Sequence, residues 1–581
     1  MKVSDIEFYL QGDNSQNIQL EELSDENGIK ELKFILNFNA KMDVKPLTLT
    51  FYLPALNVLT CYSQMGGQRR ADRRFQAEWN PAIVSSRLSG GCPSTSLIDY
   101  EENNLYTISV SDVINPIQIK VGVVEEDATI KVDIVFFATE KKQLKEYEAI
   151  IRIDSRKISY EQALYDAESF LFSANQLIPC YVPDDAKKPV YSTWYSYHVN
   201  FNADNLLLEC VEAKKLGIET IIVDDGWQMS DNNKGYSYCG DWEINNTKIP
   251  NIKEFVDNVH KIGMKVMFWF SIPFLGKNAK CFREFKNMLL DDQTQDYCVL
   301  DPRYSKVRNY LIEKYVQAIR DWGVDGLKLD FIDSFKTTEY SSEKNADMDY
   351  EDLYQALNAM MCEIRKKLQE INPNVMLEFR QTYIGPMMQT YGNMFRVGDC
   401  PCDTLSNRMY AIDMRLNMHS VAIHSDMLMW NYNDSVESAA KQLLSVFFTV
   451  PQISVRLAEI PKQHKQMLKH YLSIWSNNKD VLLDGEFTAT GVDGTYSLVQ
   501  TENEKKVFYI DFGKNICDIV DNKTNIYINV TANNIVYVDF KNTHRTCTVY
   551  DALGNKTNIL NNASGIMKIE IPLSGMIIVE T

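Results

Sequence analysis

The chain has 581 residues, of which 45% are hydrophobic and 24% are charged, a composition typical of soluble globular proteins. This length is too great for a single hydrophobic core and predicts several domains. The net charge of −18 argues against nucleic acid or an anionic membrane as the main partner, because both would repel such a surface.

Targeting signals and cysteine usage both predict a cytoplasmic protein. Residues 1–7 contain no apolar signal segment, and no later run approaches the length of a transmembrane helix. The twelve cysteines are scattered, and Cys210 and Cys362 lie in apolar stretches where a buried, reduced thiol is expected. Seven histidines without a His/Cys ligand spacing predict no zinc site.

Residues 1–185 predict an N-terminal β-sandwich. Alternating apolar residues recur in runs at 32–38, 47–53, 117–124 and 130–137. Many strands without helices between them are typical of an antiparallel sandwich. One helix is predicted over 159–176, and the proline- and charge-bearing segment 180–189 predicts a linker to the next domain.

Residues 186–485 predict a central (β/α)8 TIM barrel, because strands and helices alternate there. The predicted strands are 190–195, 219–224, 265–271, 326–331, 375–380, 394–398, 421–425 and 447–455. Helical periodicity lies between them, most clearly over 306–322, which Gly323 ends. A doubly wound sheet is the alternative, but no glycine-rich phosphate-binding turn supports it.

From residue 486 to residue 581 the pattern returns to period two. The runs are 496–500, 507–512, 526–530, 535–540, 547–550 and 566–579. They predict a smaller C-terminal antiparallel β-sandwich that packs on the barrel and carries no catalytic residues. The fold class is therefore multidomain, α/β plus all-β, with a barrel between two sandwiches.

The fourth predicted barrel strand carries the first candidate for chemistry. Lys328 and Asp330 are two positions apart, so their side chains share one face of the strand. A cation that close lowers the pKa of a carboxylate, and an ionised carboxylate at a strand end suits a covalent nucleophile. An ion pair that only holds structure is the alternative, since such pairs also perturb pKa values.

Other polar residues fall where barrel strands end, which is where TIM barrels place their catalytic groups. They are Trp194 and Tyr195, then Asp224, Asp225 and Trp227, then Glu378 and Arg380, then Arg396 and Asp399, then His424 and Asp426. Carboxylates, cations and tryptophans over one mouth are typical of a carbohydrate site. The acids accept hydrogen bonds from hydroxyl groups, and aromatic rings stack on the sugar.

Plainer interpretations of these residues stay open. Trp194, Trp227 and His424 can be ordinary core residues, as buried aromatic side chains usually are. Arg396 and Asp399 can form a simple ion pair. The adjacent acids after the second strand can cap the following turn, although their mutual repulsion favours a functional role.

Five motifs, specific in their order and spacing, carry a family resemblance. They are Asp224-Asp225-Gly226-Trp227, Gly240-Asp241-Trp242, Gly263-Met264-Lys265 leading to Trp269-Phe270, Leu300-Asp301-Pro302 with Val307-Arg308-Asn309-Tyr310-Leu311, and Asp325-Gly326-Leu327-Lys328-Leu329-Asp330. The chain resembles the α-galactosidases of glycoside hydrolase family 36, the melibiases, over roughly residues 190–485 in motif order. The β, barrel, β order outside that span agrees with the same family.

The resemblance implies a retaining, exo-acting hydrolase that releases terminal α-linked galactose from small oligosaccharides without a metal or cofactor. Asp330 is then the nucleophile, and Asp399, close behind the family's arginine at Arg396, is the acid/base. Such a pair is expected to lie roughly 5 to 5.5 Å apart. Their mutual repulsion, with Lys328 beside only one of them, is expected to keep Asp330 ionised and raise the pKa of Asp399.

The resemblance also implies a set of sugar-binding residues. Lys328, Asp224 and Asp225 would hold hydroxyl groups, with the aspartates on the O4 and O6 side, and Trp194 would form a wall of the subsite. The remaining predicted substrate-binding residues are Trp227, Arg380 and Arg396. The predicted partner is a small-molecule carbohydrate; oligomeric state is left open, although β-domains flanking a barrel often make subunit contacts.

Two departures from the family pattern leave alternatives open. Many members carry Cys-Ser-Gly-Gly-Gly-Arg on strand five, where this chain has Val-Met-Leu-Glu-Phe-Arg at 375–380, so contacts to the sugar's 2-position are not defined. Asp403 is a rival to Asp399 as the acid/base. A hydrolase or transglycosylase for another α-glycoside (an α-N-acetylgalactosaminide or an α-glucoside) and a catalytically silent sugar-binding barrel are the alternative functions.

Overall fold

The computed structural model describes residues 2–3, 6–13, 18–63, 73, 75–139, 141–229, 232–292, 294–338, 341, 343–541 and 543–580. These residues form a β-sandwich, a closed parallel barrel and a second, smaller set of β-sheets. The predicted fold class, a TIM barrel between two β-domains, is therefore confirmed.

The N-terminal domain is a sandwich of two antiparallel sheets. Its strands are β1 (Lys2–Val3), β2 (Ile6–Glu7), β3 (Tyr9–Gln11), β4 (Ile18–Glu26), β5 (Ile29–Val44), β6 (Leu47–Pro54), β7 (Val58–Ser63), β8 (Ala82–Ser86), β9 (Ser94–Asp99), β10 (Asn104–Val110), β11 (Ile117–Val124), β12 (Thr129–Phe136) and β13 (Lys141–Asp154). One sheet has the order β4-β5-β13-β10-β9-β7 and the other β3-β6-β12-β11-β8, while β1 and β2 form a separate two-stranded sheet. The predicted alternation fills the core between them, because Leu32, Phe34 and Leu36 are all fully buried.

Helix α1 (Tyr160–Ala174) joins this sandwich to the barrel, and a 3-10 turn (Asp184–Lys187) leads into the first barrel strand. The strands from there on are β14 (Val190–Ser192), β15 (Thr220–Val223), β16 (Lys265–Ser271), β17 (Phe274–Gly276), β18 (Leu289–Asp291), β19 (Tyr297–Leu300), β20 (Gly326–Asp330), β21 (Met376–Arg380), β22 (Met394–Arg396), β23 (Ala422–Leu428) and β24 (Val450–Ile453). The closed barrel has the order β14-β15-β16-β20-β21-β22-β23-β24, while β17, β18 and β19 form a small sheet after β16. Every barrel strand corresponds to a strand predicted from the sequence.

Helices surround the barrel, most of them where the 3.6-residue periodicity predicted them, while those at 194–197, 282–285 and 479–484 were not predicted. They are α2 (Trp194–Tyr197), α3 (Ala203–Lys215), α4 (Ile252–Ile262), α5 (Phe282–Phe285), α6 (Ser305–Gln317) with a π-helical end (Ala318–Trp322), a 3-10 turn (Ile332–Ser334), α7 (Leu353–Ile371), α8 (Pro386–Tyr391), α9 (Thr404–Asn417), α10 (Val436–Leu444), α11 (Lys462–Ser476) and α12 (Lys479–Asp484). The side chain of Asn251 caps α4, whose apolar face is buried. Gly263 and Gly323, with φ angles of 86° and 76°, end α4 and the helix of α6 in the left-handed conformation that glycine favours.

The C-terminal domain contains a seven-stranded and a three-stranded sheet. Its strands are β25 (Glu486–Thr490), β26 (Leu498–Glu502), β27 (Lys506–Asp511), β28 (Ile516–Asp518), β29 (Thr524–Asn529), β30 (Ile535–Asp539), β31 (Arg545–Tyr550), β32 (Lys556–Ala563), β33 (Ile566–Glu570) and β34 (Met576–Val579). Most pairs are antiparallel, as predicted. The pairs β27 with β29 and β28 with β30 are parallel, because the chain crosses to the other sheet between them.

The cysteines behave as predicted with one exception. All twelve are free thiols, and Cys210 is buried. Cys362, expected to be buried, is exposed on α7, because the buried residues of that helix lie on its other face. Across the described ranges, no helix combines the length and apolar character that crossing a membrane requires.

Candidate active site

The carboxyl ends of neighbouring barrel strands bring the predicted residues together. Ser271 of β16 pairs with Asp330 of β20, and Arg380 of β21 pairs with Arg396 of β22. Parallel strands end at the same edge, so side chains from strands far apart in sequence meet over one mouth. Hydrogen bonds and ion pairs, rather than apolar contacts, join them.

Asp330 is the most firmly held carboxylate of the site, and it is only 5% exposed. Its Oδ1 accepts hydrogen bonds from Arg380 Nε and from the backbone N–H of Phe331, each at 2.9 Å. The hydroxyl of Tyr383 donates to the same oxygen. Among the described residues, its Oδ2 accepts only from Trp269 Nε1, at 2.9 Å. Oδ2 is therefore the oxygen with capacity left for a reacting atom.

Charge and hydrogen bonding keep Asp330 ionised despite its burial. Burial by itself raises the pKa of this carboxyl, but the charges of Arg380 and Lys328 act in the opposite direction. The hydrogen bonds from Tyr383 and Trp269 add to their effect, and the pKa falls well below the usual value for aspartate. The lowered pKa favours the ionised form that was predicted for this carboxylate.

Lys328 has a different direct partner from the one its sequence position suggests. Its Nζ donates to Oδ2 of Asp224 at 2.6 Å, and both side chains are almost fully buried. The direct ion pair of Asp330 is with Arg380. Arg380 was predicted to bind substrate, and the structure shows that it also holds Asp330.

Asp225 differs from its neighbour Asp224 in having no cation in contact within the part of the chain that the structure describes. It is 2% exposed and accepts a hydrogen bond from Gln228 Nε2 at 2.8 Å, while its own N–H donates to Asp224 Oδ1. Burial raises the pKa of Asp225 to about 7, with the charge of Asp224 adding to burial and the bond from Gln228 opposing it. The two adjacent acids thus present one carboxylate paired with a lysine and one that titrates near neutral pH.

Asp399 lies on the segment between β22 and α9, and its side chain is 44% exposed. Its Oδ1 accepts a hydrogen bond from Nη2 of Arg396 at 2.9 Å. Arg396 also donates from Nη1 to Asp426 at 2.5 Å. Oδ2 of Asp426 in turn accepts from Cys400 N at 2.7 Å and from the Tyr195 hydroxyl at 3.0 Å. This buried network holds the backbone directly after Asp399.

The expected rise in the pKa of Asp399 is wrong for the structure without substrate. Burial and the charge of Asp330 do raise this pKa. The charges of Arg396, Lys328 and Arg380 outweigh them, so the pKa lies below the usual value. The main physical reason is the charge of Arg396 in direct contact, and Lys328 adds to it by acting on both catalytic candidates, where the sequence suggested that it would favour only Asp330.

Asp403, the rival of Asp399, is committed to a helix. It is the N-cap of α9, and its Oδ1 accepts from the backbone N–H groups of Leu405 and Ser406 at 3.1 and 3.0 Å. Its Oδ2 accepts from the Ser406 hydroxyl at 2.6 Å. Both oxygens therefore serve the cap, which leaves Asp399 as the acid of this segment with the freer side chain.

Two predicted substrate-binding residues have their polar groups bound to other residues of the site. Trp227 has no exposed surface, and its Nε1 donates to the carbonyl oxygen of Trp269 at 2.9 Å, so it supports the site from behind. Arg396 is 1% exposed and acts through Asp399 and Asp426. The polar groups of both side chains therefore hold other residues of the site in place.

Two other residues predicted at the mouth, Trp194 and His424, differ in their exposure. Trp194 is partly exposed at the start of α2, just after β14 ends, and stands edge-to-face to His198 at 4.6 Å. His424 is a core residue, as its plainer interpretation proposed: it is fully buried, and its Nε2 lies 2.8 Å from the carbonyl oxygen of Ala186.

Sequence reasoning missed Tyr383 altogether and named Trp269 within a family motif without giving it a role in the site. Both donate directly to Asp330, although 53 and 61 residues separate them from it in sequence. An aromatic residue three positions after Arg380, beyond a predicted strand end, was the signal available for Tyr383. Within the described ranges, no group of three or more His, Cys, Asp or Glu side chains is arranged to hold a metal ion.

A comparison with protein families matches residues 168–385 to the family described as Melibiase. An α-galactosidase of Lactobacillus acidophilus is 29% identical over 173 residues, which is 28% of this chain and 23% of that protein. An Escherichia coli α-galactosidase is 24% identical over 188 residues, covering 31% of this chain and 26% of the relative. These sequence matches thus span about a quarter of the length of the curated relatives.

Solved structures resemble the fold over nearly the whole chain. A family 36 α-galactosidase of Geobacillus stearothermophilus in complex with raffinose has a TM-score of 0.66 at 13% identity, covering 99% of this chain and 86% of its own. An α-galactosidase of Lactobacillus brevis also has a TM-score of 0.66, at 14% identity, covering 99% and 84%. Together with the family match, these similarities confirm the resemblance to family 36 α-galactosidases that the motifs indicated.

Proposed function

We propose that this chain, whose barrel matches the melibiases over residues 168–385, is a retaining, exo-acting α-galactosidase that removes terminal α-linked galactose from small oligosaccharides. The observation that carries the proposal is Asp330: a buried, ionised carboxylate held by four donors with one oxygen left to react. Around it stand the acids and the lysine that a sugar's hydroxyl groups require.

In the first step Oδ2 of Asp330 attacks the anomeric carbon while the glycosidic bond breaks. Asp399 gives its proton to the leaving oxygen. In the second step a water molecule, deprotonated by Asp399, attacks the anomeric carbon, and the bond to Asp330 breaks. Two inversions at one carbon give net retention of configuration.

The acid role requires Asp399 to carry a proton when substrate is bound. In the free enzyme the cations around it lower its pKa. A sugar seated over the mouth covers a carboxyl that is 44% exposed, and this additional burial raises its pKa toward protonation. Substrate binding itself therefore prepares the acid.

Sugar recognition falls to the ends of β15 and β20. Lys328 and the two carboxylates Asp224 and Asp225 offer one set of donors and two sets of acceptors to neighbouring hydroxyl groups. The partly exposed Trp194 lies on the adjoining α2 and provides an aromatic face. We place the enzyme in the cytoplasm, where its twelve free thiols would stay reduced.

The test is hydrolysis of aryl α-galactoside, α-N-acetylgalactosaminide and α-glucoside, followed by proton NMR of the first-formed sugar. We expect the galactoside to be turned over fastest and the α-anomer to appear first. If one of the other two glycosides were turned over faster, that glycoside would be the substrate, and the proposed mechanism would apply to it unchanged. Turnover of none of them, or initial release of the β-anomer, would contradict the proposal.

A further inference from the structure

Tyr383 is held rigidly beside Asp330. The tyrosine is fully buried, and its ring packs edge-to-face against Phe379 at 6.3 Å, with the Arg380 guanidinium 5.3 Å from the ring centre. Its backbone N–H donates to the carbonyl oxygen of Arg380 at 3.1 Å. The loop after β21 therefore fixes both the ring and the direction of its hydroxyl.

The Tyr383 hydroxyl connects two groups of the nucleophile's segment. It donates to Oδ1 of Asp330 and accepts from the backbone N–H of Phe331 at 3.2 Å. Burial and the negative charge of Asp330 raise the pKa of Tyr383 well above its usual value, so the hydroxyl keeps its proton. A donor with a fixed direction thus faces the oxygen that does not attack.

We infer that Tyr383 is a positioning residue that acts through Asp330, whose carboxylate its hydroxyl stabilises as the leaving group of the second step. The inference rests on the proposed glycosidase function and adds a role to it. It predicts that the hydroxyl acts in the second step, whereas a tyrosine with only a structural role would affect both steps.

The two steps change the charge on Asp330 in opposite directions. In the first, the carboxylate's electron pair forms the bond from Oδ2 to the anomeric carbon, and its charge disappears. In the second, that bond breaks, its electron pair returns to the carboxylate, the water oxygen bonds to carbon, and the water's proton goes to Asp399. A hydrogen bond at Oδ1 strengthens as charge returns, so it accelerates the second step and slightly opposes the first.

The test is Tyr383→Phe, which removes the hydroxyl and leaves the ring. With 2,4-dinitrophenyl α-galactoside, whose leaving group departs readily, kcat reports the second step and kcat/KM reports the first. We expect kcat to fall by about 10- to 100-fold, the effect of losing one hydrogen bond to a charged group. We expect kcat/KM to change less than about threefold, and KM to fall with kcat.

A rapid-mixing experiment supplies a second readout. Because the glycosyl-enzyme accumulates when its breakdown is slow, Tyr383→Phe should release a burst of about one dinitrophenolate per active site. Tyr471→Phe is the matched control, since its buried hydroxyl donates to the carbonyl oxygen of Ser574 on the C-terminal domain, away from the mouth. That variant should show wild-type kinetics and a similar loss of thermal stability.

Each other outcome has a definite meaning. Equal falls in kcat and kcat/KM, without a burst, would reduce Tyr383 to a structural residue, and unchanged kinetics would remove it from the mechanism. If the wild type turns over another α-glycoside instead, its dinitrophenyl glycoside replaces the galactoside. A wild type inactive on every α-glycoside would overturn the proposed function, and this inference with it, a result separate from any pattern confined to the variant.

Discussion

The two catalytic candidates occupy opposite kinds of environment at the same barrel mouth. Asp330 is 5% exposed, and four donors hold its two oxygens. The side chain of Asp399 is 44% exposed and is held by one contact, with Arg396. Yet cations lower the pKa of both carboxyls in the free enzyme.

The difference fits the two roles. A nucleophile must stay ionised and keep one geometry through both steps, and fixed donors achieve both. An acid/base must exchange protons with water and substrate, so it needs exposure and few permanent bonds. The surrounding cations are shared, while the number of donors and the access to solvent distinguish the two carboxyls.

Removing Asp330, the rigidly held carboxylate, should have the largest effect on activity. Asp330→Ala removes the group that forms the covalent bond, and we expect kcat to fall by about 10⁴-fold or more. Azide added with an activated α-galactoside should enter the vacated space and yield β-galactosyl azide, a product of single inversion. Product analysis by NMR measures this.

If Asp330→Ala kept more than about a tenth of wild-type activity, another group would have to be the nucleophile. Rescue that gave α-galactosyl azide would also contradict the assignment, because that product requires an intact glycosyl-enzyme. The variant leaves Arg380 without its carboxylate partner, so its fold is to be checked by circular dichroism.

Removing Asp399, the exposed carboxylate, should have a smaller effect on activity, and the size of this effect should depend on the leaving group. Asp399→Ala should lower kcat/KM by about 10²- to 10⁴-fold for α-galactosides whose leaving group is another sugar, which need a proton on the leaving oxygen. For dinitrophenyl galactoside, which needs none, the first step should be nearly unaffected. Azide should accelerate turnover and give α-galactosyl azide.

Asp403→Ala is the control for this assignment, since Asp403 caps α9 a few residues away. We expect it to lower the free energy of unfolding by about 1 kcal/mol through loss of the cap, with kcat/KM within about threefold of wild type. Azide rescue in Asp403→Ala but not in Asp399→Ala would exchange the two roles.

A third carboxylate tests whether cations, rather than burial, keep Asp330 ionised. Asp225 is as buried as Asp330 but has no contacting cation, and its pKa is raised to about 7. Between about pH 4, the pKa of an unfolded aspartate, and pH 7, the unfolded state releases a proton that the folded state retains. The free energy of unfolding therefore falls as the pH rises through this range. Asp225→Asn, which cannot ionise, should gain stability over wild type by up to about 3 kcal/mol between pH 5 and pH 8.

Urea denaturation of both proteins at pH 5 and pH 8 measures this change. A difference between them that does not vary with pH would mean that Asp225 is ionised across the whole range. The contribution of Asp330 to the pH dependence of stability has the opposite sign. Its lowered pKa contributes stability above about pH 4, and this stability is lost as the pH falls.

Much of the fold could be predicted from the sequence, because the signals are local. The period-two runs and the strand and helix alternation located every barrel strand, and strand ends placed Asp330, Lys328 and Asp224 at one mouth. Two patterns misled. Apolar neighbours suggested a buried Cys362, which is exposed, and the position of Trp227 after a strand suggested a sugar platform, although it is fully buried.

By itself, the sequence determined which residue types reach the carboxyl edge of the barrel, since strand periodicity and chain order depend on neighbours along the chain. Only the tertiary structure decided which of these side chains pair with each other. Lys328 meets Asp224 across 104 residues, and Tyr383 meets Asp330 across 53. Barrel closure and the path of the loop after β21 bring these pairs together across such long sequence separations. No local sequence pattern therefore predicts them.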